Sequence, residues 1–123
     1  MRLEWTREFD SFLTQLEEED GERIKLLGAM LKRLVDLPGA PAEETEAIKR
    51  VKQAQQHDVW RVSHPHRSDA AIRVLVWFTP HGTAVVAVVG FDKHPLGDLW
   101  YDSATRRAEA IIDQLLRQGD HAP

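Results

Sequence analysis

Between Ile72 and Tyr101 the chain reads IRVLVWFTPHGTAVVAVVGFDKHPLGDLWY: two apolar runs divided by a turn, then a polar segment. Ile72, Val74, Val76 and Phe78 alternate with Arg73, Leu75, Trp77 and Thr79, the period of two that sends successive side chains to opposite faces of a sheet. One face is wholly apolar, which predicts a strand seated on a core. Thr79-Pro80-His81-Gly82 supplies a fixed φ and a residue tolerant of positive φ, so a short hairpin loop closed by a bulge is expected, with 83–90 as the partner strand. The next segment, Phe91 to Asp98, abandons the alternation and gathers acid, base and imidazole groups where a central strand would end. Binding and catalytic residues favour such places.

The 123 residues suit a single domain, 1–123, able to bury about 65% of its unfolded surface in one core. Without cysteine, disulfides, thiolate metal sites and thiol nucleophiles are excluded, and a reducing cytoplasmic location is the simpler expectation. The longest apolar run, 83–91, falls far short of the ~20 residues that span a bilayer, and no membrane association is expected. The net charge of −4 argues against a general basic coat for nucleic acid. That charge is uneven: residues 1–50 carry 8 basic and 12 acidic groups, residues 51–101 carry 5 and 4. A polyanion could be received on the central sheet.

Taken in order, Met1 to Trp5 alternates like an edge strand, and Thr6 can cap a helix whose Phe9, Phe12, Leu13 and Leu16 recur at helical spacing. An acidic corner, Glu17 to Asp20, leads into a second helix with Ile24, Leu27, Met30, Leu31, Leu34 and Val35 as its apolar stripe. Leu37-Pro38-Gly39-Ala40-Pro41 ends it. From Ala42 to Gln56 the composition favours helix, but Ile48, Val51 and Ala54 make only a thin stripe, so a short helix or an ordered loop is expected. Asp58 to His64 alternates again, and Ala104, Ala108, Ile111, Ile112 and Leu115 mark a carboxy-terminal helix capped by Asp98 or Asp102. The expected architecture is α+β: a mainly antiparallel sheet with two amino-terminal helices packed on one face, and a carboxy-terminal helix. No phosphate loop, nucleophile elbow or metal motif is present, and no cofactor is expected.

If Arg73 points away from the apolar face, strand parity puts Leu75 and Trp77 on its side, and Arg61 of the preceding strand can share it. Two arginines on an open side of the sheet would hold a phosphate and stabilise charge developing at phosphorus, unless they are ordinary surface ion-pair partners. At the strand exit, His94 could serve as general acid or base and Lys93 could neutralise a phosphate, while Tyr101 could orient a ribose hydroxyl or stack on a base. Lys52, beside Lys49 and Arg50, and the loop residues His64, His66 and Arg67 are candidate contacts to an RNA backbone, or simply solvated groups.

With those residues in view, the chain resembles toxins of the RelE/ParE superfamily, nearest to the HigB-like branch of phages and actinobacteria. WTREFDSFL resembles that branch's strand-to-helix opening, Arg73-Val74-Leu75 with Trp77-Phe78 its "RVLF-F" strand, Val88 to Lys93 its "LLGGDK" segment, and Trp100-Tyr101-Asp102-Ser103-Ala104 its "WYxxA" close. The resemblance implies a RelE-like compact fold and a metal-independent, ribosome-dependent mRNA endoribonuclease, an mRNA interferase that inhibits translation. It also implies a cognate antitoxin, often a small helix-turn-helix protein. By position, Arg73 matches the family's phosphate-binding arginine, Arg61 a basic residue on the preceding strand, and Tyr101 the tyrosine before the last helix. The superfamily also contains DNA gyrase inhibitors, and a catalytically silent binding module of the same fold is a further alternative. Departures are an acidic net charge, Ser63 where a second sheet lysine is expected, and Asp92 where some members have arginine. Removing one preorganised donor to developing charge costs about 3–4 kcal/mol. The resemblance therefore implies that soluble Arg73→Ala loses most of the toxicity scored on induction, and toxicity at the wild-type level would contradict that role.

Overall fold

The computed structural model describes residues 1–67, 71–92 and 98–119. Its elements, in order, are β1 (Arg2–Trp5), α1 (Arg7–Glu19), α2 (Gly21–Val35), β2 (Ile48–Arg50), β3 (Val59–Val62), β4 (Ile72–Phe78), β5 (Ala84–Asp92) and α3 (Asp98–Arg117). The strands form one mixed sheet in the order β1-β5-β4-β3-β2. β1 pairs with β5 in parallel, and the other three pairings are antiparallel. This is an α+β fold with helices on both faces.

Parity along β4 divides the interior. Ile72, Val74, Val76 and Phe78 join Phe9, Leu16, Leu27, Met30 and Leu34 of α1 and α2 in one apolar cluster. Leu75 and Trp77 point the other way and join Val86, Val88, Phe91, Tyr101, Ala104, Ala108, Ile111 and Ile112 in a second. The side of the sheet expected to be open is therefore covered by α3. Leu75 is fully buried and Trp77 is 6% exposed, so neither is available as an interaction surface. A continuous apolar run such as Val74 to Phe78 is the pattern of a strand buried on both faces, which a single alternating reading understates.

Local chemistry sets the helix boundaries. The Thr6 side chain accepts from the Phe9 amide (3.0 Å) and donates to the Val88 carbonyl (2.7 Å), so one residue caps α1 and fastens it to β5. Asp20 closes α1 through its amide to the Leu16 carbonyl, and its carboxylate accepts from the amides of Glu22 and Arg23 at the start of α2. The hairpin loop after β4 is held by Thr79, whose carbonyl accepts from the Gly82 amide at 2.8 Å, with Gly82 at φ +69°. The bulge lies further in than expected, between Leu75 and Val76, where the β4–β5 register shifts.

The segment after α2 departs most from expectation. No helix forms over 42–56; instead Ile48–Arg50 pairs antiparallel with β3 as an edge strand. Ile48 faces the α1/α2 cluster whereas Val51 and Ala54 belong with the α3 cluster, so the apparent helical stripe consists of residues on two different faces. At the start of α3, Asp98 is the first helical residue and Asp102 lies inside the helix.

Close packing of α1 on β5 yields a stability test. A Cβ placed on Gly90 would sit 2.3–3.0 Å from ring atoms of Phe12. Gly90→Ala is expected to lower unfolding stability by about 1–3 kcal/mol, as other overpacked interiors do, and Phe12→Leu should restore part of that loss. Denaturant melts of the single and double variants measure both.

Candidate functional site

Where β2 and β3 emerge from beneath the first turn of α3, the sheet leaves a concavity of about 330 Å³. It is lined by Glu44, Lys49, Arg50, Val51, Lys52, Gln53, Arg61 and Tyr101. Lys49 and Arg61 are register partners across the β2–β3 pair, so their side chains project together on the α3 side of the sheet. Lys52 and Gln53 come from the turn just after β2, and Tyr101 comes down from α3. Arg50 points to the other face, where its guanidinium lies 4.9 Å from the Trp60 ring centroid, and it meets the concavity at its rim. Glu44 is the one carboxylate in the lining, and its Oε1 accepts from the Arg50 amide at 3.0 Å.

Tyr101 is the unusual member. It is 6% exposed and its ring meets Phe91 edge to face, with centroids 5.3 Å apart. Its hydroxyl has no hydrogen-bond partner among the described residues. A buried hydroxyl left unpaired costs about 1–3 kcal/mol, a cost carried here by a residue that also lines a cation-rich recess. The amino end of a 20-residue helix adds positive potential at the same place.

Next to this concavity, α3 grips the connection between β2 and β3. Glu109 is 7% exposed, and its carboxylate accepts from three successive amides: Gln55 at 3.2 Å, Gln56, and His57 at 2.9 Å. One turn on, Asp113 Oδ1 lies 2.7 Å from His57 Nε2. Hydrogen bonds to a charged acceptor contribute about 1.5–3 kcal/mol each, enough to order a connection with little apolar packing of its own. A second concavity of about 410 Å³, lined by Gln53, Gln55, Gln56, Asp102, Arg106 and Glu109 among others, adjoins it along this connection.

Of the residues singled out from sequence, Arg61, Lys52 and Tyr101 are brought together here. Arg73 occupies the same face as Arg61, two residues from Leu75, the register partner of Arg61. Arg73 does not line this concavity, and its Nη1 donates to the Ile72 carbonyl at 2.9 Å. His64, His66 and Arg67 follow β3 in a separate loop, where His64 Nδ1 accepts from the His66 amide at 3.0 Å. Lys93 and His94 lie outside the described residues. Asp92 pairs with Arg23 of α2 at 2.7 Å, joining that helix to β5. Sequence reasoning did not single out Glu44, Gln53 or Glu109. The parity of Lys49 with Arg61 would have shown itself had a strand been recognised at 48–50.

No protein-family model matches the chain, and no curated protein matches it either. The orphan hydroxyl itself generates a test. Tyr101→Phe removes an unpaired polar atom from the interior and is expected to raise unfolding stability by about 1 kcal/mol. A comparable loss of stability in a denaturant melt would mean that the hydroxyl is engaged within the fold.

Proposed function

We propose that the concavity between β2, β3 and α3 receives a phosphodiester of single-stranded RNA, and that the protein is a RelE/ParE-type toxin. Its activity is that of a metal-independent, ribosome-dependent mRNA endoribonuclease, held in check by a cognate antitoxin. One observation carries the RNA reading: Lys49, Lys52 and Arg61 converge on a recess whose wall includes Tyr101, a residue whose buried hydroxyl has no hydrogen-bond partner among the described residues. The toxin reading rests on the ordered sequence resemblance and is compatible with an α+β architecture of this element order.

In such a site the ribose 2′-oxygen attacks the adjacent phosphorus, its proton passing to a base, while the bond from phosphorus to the 5′-oxygen breaks. A 2′,3′-cyclic phosphate forms and the departing 5′-oxygen takes up a proton. Arg61, Lys49 and Lys52 hold the non-bridging oxygens as negative charge builds on them, and the Tyr101 ring forms one wall of the recess. Arg73, behind Arg61 on the same face, adds positive potential rather than a direct contact. A chain of net charge −4 with one cationic corner binds free RNA weakly, which fits an activity expressed where a ribosome presents the message.

Primer extension on mRNA after induction tests this. Ribosome-phased 5′ ends are expected within minutes for the wild type. They should be reduced about a hundred- to a thousandfold for Arg61→Ala, and less for Arg73→Ala. Intact mRNA together with altered plasmid supercoiling would overturn the nuclease reading in favour of a gyrase-directed toxin.

A further inference from the structure

We infer that Glu109 is a positioning residue for RNA, acting through the turn that carries Lys52 and Gln53; this rests on the RNA-binding reading above. The turn belongs to the eight-residue connection 51–58 between β2 and β3. At its near end the Val51 amide donates to the Val59 carbonyl (2.9 Å), and the Ala54 amide donates to the Val51 carbonyl (3.3 Å). Lys52 and Gln53 therefore occupy the two central positions of a turn, and both are exposed. The Val51–Val59 bond also closes the connection where it enters β3, but residues 55–57 in between carry no strand pairing. What fixes them is the Glu109 carboxylate, which collects the amides of Gln55, Gln56 and His57, with Asp113 holding the His57 ring from outside.

Glu109 itself does not line the cationic concavity, and a group that bound RNA directly would not be an acidic one buried on the far side of the turn. Its chemistry matches the backbone it meets: three donors in succession need an acceptor with two oxygens, which aspartate would not reach and glutamine would only half supply. Replacing carboxylate by amide puts an NH2 group against backbone N–H donors, frees residues 55–57 from α3, and lets Lys52 leave the recess. Lys52 then ceases to neutralise a phosphate.

The measurement is the salt dependence of binding of a short single-stranded RNA to the full chain. Each phosphate neutralised contributes about 0.7 to the slope of log affinity against log salt on single strands, equivalent to about fivefold in affinity at 0.1 M salt. Glu109→Gln is expected to flatten the slope by that amount. Lys52→Ala should do the same in the wild-type background and add nothing in the Glu109→Gln background. A general loss of stability would lower the amount of competent protein without changing the slope. Asp113→Asn loosens the same connection from its solvent side, and it is expected to shift the slope in the same direction by less; it serves if Glu109→Gln does not fold. Unchanged slopes in these variants, with wild-type binding still dependent on Arg61, would overturn the positioning role alone. Absence of salt-dependent binding by the wild type would overturn the RNA reading and this inference with it.

Discussion

Everything in this molecule is arranged around a strand with almost no solvent face. β4 lies between β3 and β5, and Arg73 is its only residue that is not buried. A strand in that position must find two separate apolar partners, because its odd and even side chains cannot share one. The α1/α2 hairpin serves Ile72, Val74, Val76 and Phe78, and α3 serves Leu75 and Trp77. Burying a large apolar side chain is worth about 1.5–3 kcal/mol, so each layer has its own reason to stay in place.

This two-sided covering decides where chemistry can occur. With α3 lying over Leu75, Trp77, Val86 and Val88, the middle of the sheet is closed, while the corner where β2 and β3 run out from under the helix start stays open. The corner is cationic because of register: antiparallel pairing sets Lys49 opposite Arg61, and like charges directly opposite destabilise a pair unless an anion lies between them. It is ordered because Glu109, on the same helix that closes the sheet, also ties down the adjoining connection. Helix α3 is thus both the second layer of the core and one wall of the recess.

The parts legible from sequence are those where one residue pattern answers to one neighbour. Period-two alternation identified β3 and β4, the turn at 79–82 identified β5 as the partner of β4, and Thr6 and the apolar spacings identified the helices. Arg61 was found through strand parity, Lys52 through the basic edge it forms with Lys49 and Arg50, and Tyr101 through its place where the last helix begins. What was not legible depends on distant partners. β2 is three residues long, and its strand state comes from pairing with β3 rather than from any propensity in the helix-forming stretch around it. The closure of the second face was hidden because Arg73 made that side of β4 look polar, although Leu75 and Trp77 beyond it are buried. Glu109 looked like one more charge on an amphipathic helix; only the fold brings three amides from more than fifty residues away onto its carboxylate.

RNA is received, on this reading, at the corner of Lys49, Lys52, Arg61 and Tyr101. Titrating the isotopically labelled full chain with a short single-stranded RNA, and following amide and aromatic chemical shifts, tests it directly. The account predicts perturbations centred on residues 49–53, on Arg61 and on the Tyr101 ring. Shifts confined to the α1/α2 layer or to the His64–Arg67 loop, with 49–53 and Tyr101 unmoved, would contradict it.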